Sequence, residues 1–393
     1  MKLDFKLKAG ALQLVLMISS LILLLLLSFS LLHQYHRLYN TKTSYQVLLQ
    51  KGSIQGINRL ISEEQSSSSY DVNGVFVEVH RSPWGIFELL HATSKKGKLE
   101  NKRTALVGSS AHDSTALYLA DKGLPVYFAG SSSLAGEVYL PQRQWNFATI
   151  EGQSTNRENP IQGRIKASSQ VLPDLGLPEA KFAKPYKRVS VSSLAVGYDS
   201  LTYIIKGDVI DLKNKNLKGQ IVIQATERIL IDSTSQLQGV LLEAPEILIG
   251  NNVSGNFQAF ANRKIEVGDN CVLNYPTVLS IESEAPGSIH LGRNTRLEGI
   301  LLNLSSPENF QLPGIVVKKG AQLIGQVYTK GGLSLRGEVK GQVFADYIMA
   351  QVDGVTYVNN LYNTQIYSFN NLAPFAGLTW KENSKSTLAQ WLR

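Results

Sequence analysis

The sequence predicts a mainly β protein: a single-stranded parallel β-helix, or β-solenoid, that follows an N-terminal transmembrane helix extended by an amphipathic helix. Two observations support this fold class. A short phrase of alternating apolar residues, a polar turn, a further apolar residue and a glycine recurs along most of the 393 residues. Ahead of these phrases, the apolar run at 11–32 contains no charge and no proline.

The apolar run at 11–32 is long enough to cross a membrane. As a helix it would extend ~33 Å, against ~30 Å for the hydrocarbon core. It is too long for the core of a signal peptide, and no small-x-small cleavage site follows it. Three lysines lie in the leader, 1–10, so the positive-inside rule favours a cytoplasmic amino terminus. We therefore expect a single-pass inner-membrane protein whose bulk is extracytoplasmic, in the periplasm or at the surface.

The helix is predicted to continue past the membrane as a helical extension at 33–66. Gly52 and Gly56 weaken its middle, but no proline interrupts it, and the polar run EEQSSSSYD at 63–71 ends it. Apolar residues recur through the extension at helical spacing, namely Tyr39, Tyr45, Leu48, Leu49, Ile54, Ile57, Leu60 and Ile61.

The basic leader KLDFKLKAG, followed by a hydrophobic helix that becomes amphipathic, resembles the start of type IV pilins and pseudopilins. The phrase GSIQGINRLIS at 52–62 is similar to the second half of minor-pilin helices. This resemblance covers about 1–62 and implies that the leader is cleaved between Gly10 and Ala11. Major pilins have a glutamate where this chain has Val15. Some minor, tip-located members of the family lack that glutamate, so the departure points away from a major subunit without excluding the family. An ordinary membrane anchor with a linker helix explains the same residues.

The repeated phrase aligns on a first apolar residue, a second apolar residue and a glycine two positions later. In most phrases the offsets are eight and ten residues, as from Ile289 to Leu297 and Gly299, whereas shorter phrases use six and eight. The predicted inward positions are Val209, Leu217, Ile229, Leu237, Ile247, Val253, Ile265, Leu273, Ile289, Leu297, Ile315, Leu323, Leu333 and Val339. The predicted corner glycines are Gly136, Gly219, Gly239, Gly255, Gly299, Gly325 and Gly341.

The alternation of the phrase predicts short strands that each have one inward face. Gly and Asn between the strands predict corners, because both residues tolerate positive φ. Repeats built in this way predict a three-sided stack in which each strand pairs with the repeat above. The two longest repeats must bulge at a corner, at 283–287 and at 305–314, where turn-forming residues are concentrated.

The predicted solenoid occupies 126–355 and is interrupted at 166–200 by a loop, rich in proline and lysine, that leaves the stack and returns. Before it, 70–125 is predicted to be a β-rich cap. After it, 356–393 is predicted to be a capping tail, in which 386–393 forms a short helix over the last repeat. Such a cover is expected because an open end exposes unpaired strand edges.

The phrase GGLSLRGEVKGQVFADYIMA at 331–350 resembles bactofilins, the bacterial polymer-forming β-helix scaffolds. This resemblance covers about 200–350. It implies end-to-end polymerisation through apolar terminal repeats, which the predicted tail would block.

The sequence contains no recognisable catalytic constellation. Hexapeptide acyltransferases share the architecture and use a histidine base, but His290 lies between two inward residues and should therefore face solvent without a partner. The acidic residues fall at corners of different repeats, unlike the paired carboxylates of a glycan-cleaving site. The single cysteine, Cys271, excludes an internal disulfide and multi-cysteine metal sites, and it takes the place of a small buried apolar residue. We expect no enzymatic activity, no cofactor and no metal.

The net charge of +8 is concentrated in 1–66 and in the run KFAKPYKR at 181–188, and the rest of the chain is neutral. This distribution disfavours nucleic acid, whose binders spread basic residues over a face or groove. No small-molecule substrate is evident either. The expected partners are the membrane, proteins of an envelope or pilus-like assembly, and further copies of the chain.

These features favour a non-enzymatic, membrane-anchored, extracytoplasmic β-solenoid that is a structural or assembly component of a cell-envelope machine, either minor-pilin-like or a scaffold. One alternative is a glycan-binding or glycan-modifying β-helix protein of the envelope. Its binding surface would use the outward aromatic residues Tyr139, Trp145, Tyr328 and Tyr357. The other alternative is a membrane-anchored bactofilin-like polymer.

Overall fold

A computed structural model of the protein describes residues 9–63, 65–110, 114–155, 157–183, 185–198, 201–305, 312–369, 375–381 and 385–392. These residues form one long N-terminal helix and a mainly β remainder. They divide into two compact units. Unit 1 contains the chain up to Asn58 together with Ser68–Val79 and Ala92–Arg103, and unit 2 contains Arg59–Ser67, His80–His91 and the chain from Thr104. Most of the predicted leader, 1–8, lies outside the described residues.

The helix α1 spans Ala9–Glu63, and a short 3-10 helix spans Pro141–Arg143. The first strands are β1 (Ser67–Val72), β2 (Val75–Trp84), β3 (Phe87–Lys96), β4 (Leu99–Ser110), β5 (Thr115–Leu119), β6 (Val126–Ala129), β7 (Ser133–Ala135), β8 (Glu137–Leu140), β9 (Trp145–Phe147), β10 (Ile161–Gln162), β11 (Ile165–Ala167), β12 (Tyr186–Val189) and β13 (Leu194–Ala195). Then follow β14 (Thr202–Asp211), β15 (Asn216–Lys218), β16 (Ile221–Ile231), β17 (Gln236–Glu243), β18 (Glu246–Ile249), β19 (Ser254–Ala261), β20 (Lys264–Val267), β21 (Val272–Ile281) and β22 (Ser288–Leu291). The last strands are β23 (Arg296–Asn303), β24 (Pro313–Val317), β25 (Gln322–Leu335), β26 (Glu338–Val352), β27 (Val355–Val358), β28 (Asn360–Tyr362), β29 (Gln365–Tyr367), β30 (Ala376–Gly377) and β31 (Ser386–Leu392).

The second part of α1 packs closely on a strand of unit 1. A Cβ placed on Gly56 would lie 2.7 Å from Cγ1 of Val77 and 2.9 Å from Cγ2 of Val79, and one on Gly52 would lie 3.2 Å from Cγ2 of Val77. The two glycines, four residues apart, therefore form the helix face that approaches β2. The sequence alone presented them only as weak points of the helix.

Most strands of unit 2 belong to a 22-stranded, largely parallel sheet. Strands from successive repeats pair in register, so equivalent apolar residues stack and are buried. One such column contains Ile210, Ile229, Ile247, Ile265, Ile289, Ile315, Leu333 and Ile348. The alternation of the phrase therefore produces a continuous apolar interior in this sheet.

The predicted inward position Val209 is wrong. Val209 is 49% exposed, and Ile210 takes the inward place opposite Ile229. A bulge between Gly207 and Val209 shifts the register by one residue, and a shift of one residue moves a side chain to the other face of a strand. The other predicted inward residues are buried.

The order of the strands in space differs from their order in the chain. A second column starts at Leu194 and ends with Val339, Ile366, Leu134 and Ile161. Strands from 115–167 and 360–367 thus lie beyond β26 at one end of the sheet. The segment Thr115–Leu119, which the sequence assigned to a cap at 70–125, pairs with β26 and β8 in the parallel sheet.

The predicted loop at 166–200 does not simply leave the sheet and return. Its ends belong to paired strands, β11 with β8 and β12 with β14. Its middle, residues 168–183, connects the two ends of the sheet along an outward face, and we call it the crossing segment. Tyr328 donates a hydrogen bond to the Pro173 carbonyl (3.1 Å), and Lys181 pairs with Glu282 (3.1 Å).

The prediction of a capping tail at 356–393 with a terminal helix is also wrong. Residues 360–367 form strands within the stack of repeats. Residues Ser386–Leu392 form a strand antiparallel to β4, with Ser386 opposite Ser109 and Leu392 opposite Thr104. The terminal segment STLAQWLR has no strong local preference, and the open edge of β4 provides its hydrogen-bond partners.

Candidate functional site

The N-terminal helix carries the most extensive exposed apolar surface of the described chain. Its residues 10–47 are exposed, and leucines such as Leu24 (71%) and Leu25 (61%) project on every side. The helix is long and apolar enough to cross a membrane. An apolar helix without a polar face needs either lipid or protein around it.

The predicted processing residues Gly10 and Ala11 lie in the first turns of α1, where both are exposed. A Cβ on Gly10 would have no atom within 4 Å, so packing does not require the glycine. Val15, at the position of the pilin glutamate, is 61% exposed within the apolar stretch.

The helix changes character at Leu49, where the burial of its residues begins. Ser53, which is fully buried, donates to the hydroxyl of Ser94 (2.8 Å), and Ser94 donates to the Leu49 carbonyl (2.8 Å). Together with Gly52 and Gly56, these contacts fix the second part of α1 in unit 1. The same helix thus has an unpartnered apolar part and a docked part.

The two long corners of the repeats enclose a groove on the parallel sheet, about 390 Å³ in volume. Asn303, which is buried, joins them because its amide donates to the carbonyls of Gly287 (3.0 Å) and Gly314 (2.8 Å). The groove is also lined by Arg263, His290, Ser288, Thr329 and Gln351. Residues 306–311 of the second corner lie outside the described residues.

Among the described residues that line the groove, His290 is the one imidazole. His290 faces outward as the alternation predicts, but it is half-buried and not fully in solvent. Burial lowers its pKa, with a further contribution from Lys264, which favours the neutral imidazole. The described lining residues include no carboxylate. Glu266 lies opposite His290 on the neighbouring strand, but its carboxylate pairs with Lys264 (2.6 Å).

Cys271 is fully buried, and its thiol donates to the Gly250 carbonyl (3.1 Å). Burial raises the pKa of this thiol, which opposes formation of the reactive thiolate. Within the described part of the chain, no cluster of three or more His, Cys, Asp or Glu side chains could hold a metal ion.

A column of outward residues runs along one face of the parallel sheet. In order it contains Lys166, Tyr139, Tyr118, Phe344, Tyr328, Leu302, Ser280, Phe260, Glu243, Gln224 and Lys206. Trp380 packs against Phe344 at 4.7 Å between ring centroids, and the crossing segment covers Tyr328. The aromatic residues in the middle of the column therefore belong to a second apolar cluster on the outside of the sheet.

The aromatic surface that the sequence suggested for glycans is largely occupied by the protein itself. Tyr328 is 2% exposed. Tyr139 stacks on Tyr118 at 5.1 Å between centroids, and Lys166 Nζ lies 5.2 Å from the centroid of the Tyr139 ring. Trp145 packs edge-on against Phe128. Tyr357 is more exposed, at 36%, but the described residues show no ring stacked on it.

Comparison with known proteins gives no significant match to a protein-family model, to a curated protein or to a solved structure.

Sequence reasoning did not find the docking role of Gly52 and Gly56 or the covered aromatic column. The spacing of the two glycines was a usable signal, because small residues four apart mark a close helix contact. The column had no such signal, since its members come from repeats whose spatial order the sequence does not reveal.

Proposed function

We propose that the protein is a non-enzymatic, membrane-anchored component of a cell-envelope assembly, with most of its chain outside the cytoplasm. The observation that carries this proposal is the division of α1 into an exposed apolar part and a part buried in unit 1. A helix fixed to its own protein at one end, and apolar on all sides at the other, is suited to lie in a bilayer or to pack with similar helices.

We further propose that the parallel sheet of unit 2 is a β-solenoid, which would act as a rigid spacer or docking surface. The support is the in-register stacking of equivalent residues from successive repeats, together with corners formed by glycines of positive φ. Each repeat can bury its apolar residues only against its neighbours, which makes such a stack stiff.

Two alternatives remain as second candidates. The C-terminal strand pairs with β4 and therefore does not cover the terminal repeats, as a capping tail would. This arrangement favours a bactofilin-like polymer that associates through those repeats. A glycan-binding function draws less support, because the aromatic column is mostly covered.

The anchor is tested with the full-length protein in membranes. Leu21→Arg and Leu25→Arg in one variant should release it into the carbonate-soluble fraction, because each central arginine costs about 3 kcal/mol on insertion. The matched control, Thr43→Arg with Gln46→Arg, changes exposed residues of the same helix beyond the apolar run and should stay in the pellet. Wild-type protein that is extracted by carbonate would contradict the proposal.

The pilin-like interpretation has its own test. Amino-terminal sequencing of the native protein should give a start at Ala11 if a leader peptidase processes it. An intact Met1 would rule out that processing and leave a plain membrane anchor.

A further inference from the structure

One end of the parallel sheet has unpaired strand edges. Among the described residues, Tyr186–Val189 pairs only with β14, Leu194–Ala195 only with β15, and Val209–Asp211 only with β16. We call this end the β12 end. Unpaired N–H and C=O groups on such an edge can accept a further strand.

The direction of the free backbone groups follows from one hydrogen bond. Thr202 N–H donates to the Pro185 carbonyl, so the carbonyl of residue 185 points toward β14. Alternate residues of a strand direct these groups to opposite sides. The N–H and C=O of Tyr186 and Arg188 therefore point away from β14.

The interior of the stack is also incompletely covered at the β12 end. Val189, Val191, Leu194 and Val196 pack against the apolar core but are only half-buried, whereas the equivalent Leu217 and Leu237 of the next repeats are buried. A further strand with apolar residues at alternate positions would extend these columns.

The β12 end is strongly basic. Its described residues between 185 and 218 include the basic side chains Lys187, Arg188, Lys206, Lys213, Lys215 and Lys218 and only two acidic ones, Asp208 and Asp211. Both carboxylates are engaged locally, with the Thr226 hydroxyl (2.7 Å) and the Lys213 N–H (2.9 Å). None of the six basic side chains forms an ion pair with a described residue. At the other end of the sheet, Lys166 and Arg164 both pair with Glu137.

We propose that the β12 end binds an extended, acidic segment of a partner protein, which adds a strand to the edge at Tyr186–Val189. Its backbone bonds the free groups of Tyr186 and Arg188, its carboxylates pair with Arg188 on the outward face of the strand, and its apolar residues cover Val189 on the opposite, inward face. Charge argues against a second copy that docks through its own β12 end, because two basic ends repel each other. This inference concerns unit 2 alone and does not depend on how α1 is anchored.

The test uses the full-length protein in detergent and a fluorescent probe peptide of about eight residues that alternates glutamate and valine. Fluorescence anisotropy should show saturable binding that weakens with salt. The double variant Lys187→Glu/Arg188→Glu should bind the peptide at least about tenfold more weakly than the wild type. The matched control Lys318→Glu/Lys319→Glu reverses two adjacent, exposed lysines in another repeat and should bind as the wild type does. Circular dichroism confirms that both variants are folded.

A second peptide separates strand addition from simple charge attraction. It has the same sequence but carries N-methyl groups on alternate residues, so it keeps its charge and loses backbone donors. It should bind at least about tenfold more weakly, because several backbone hydrogen bonds cannot form. Equal binding of both peptides, or no binding of the first, would overturn the proposal. A dimer of the full chain that Lys187→Glu/Arg188→Glu abolishes would assign the edge to a second copy and overturn it as well.

Discussion

At the scale of single residues, the corner glycines show how one repeat constrains the next. Gly299, Gly325 and Gly341 lie opposite one another in successive strands, each with φ near +150°. A Cβ on Gly325 would lie 1.8 Å from the carbonyl oxygen of Gly299. The position therefore excludes a side chain for two reasons, the backbone conformation and the approach of the neighbouring repeat.

Replacement of Gly325 by alanine should lower the free energy of unfolding by about 3 kcal/mol or more, because backbone of the adjacent repeat must move. Urea denaturation of the detergent-solubilised protein measures this change. Gly123→Ala is the control, since Gly123 also has positive φ (+74°) but no atom within 4 Å of an added Cβ. Its cost should be about 1–2 kcal/mol, from the conformation alone. Equal effects at the two positions would show that the contact between repeats is unimportant.

At the scale of elements, α1 is a single helix with two different environments. The part beyond Leu49 owes its position to the absence of side chains at Gly52 and Gly56, which lets Val77 and Val79 approach. The gain in packing offsets the low helix propensity of glycine, about 1 kcal/mol for each residue. A residue that weakens an isolated helix can thus be the residue that docks it.

Gly56→Val should loosen unit 1, because overpacking of a close contact costs about 1–3 kcal/mol. Hydrogen–deuterium exchange should become faster at the amides of residues 49–57 and 75–79. Gln55→Val places the same side chain on the next residue, which is exposed, and should change exchange little. Unchanged exchange in Gly56→Val would mean that this helix does not depend on the close approach.

At the scale of the whole molecule, unit 2 is held together by strands that are far apart in the chain. Strand β5 pairs with β26, β7 pairs with β29, and β4 pairs with β31. The crossing segment links the two ends of the sheet, so the chain on either side of it contributes to the same core. The sequence order of the repeats does not predict this arrangement.

A cut in the crossing segment should therefore leave the two fragments bound to each other. We expect this for a protease recognition sequence inserted between Glu179 and Ala180, which are exposed. After cleavage, the fragments should elute together from a sizing column in detergent and separate only in denaturant. Their separation without denaturant would contradict the observed order of strands.

The sequence by itself determined the apolar helix, its continuation past residue 32, and the apolar positions of the repeats. Each of these depends on local periodicity, which a single segment carries. Even there, one bulge at Gly207–Val209 displaced a predicted inward residue by one place. The strand order, the path of the crossing segment, the pairing of Ser386–Leu392 with β4 and the basic β12 end were decided by tertiary structure. Parallel pairing depends on hydrogen bonds between distant segments, and the apolar alternation that makes a strand is nearly the same in every repeat, so it cannot specify which strands are neighbours.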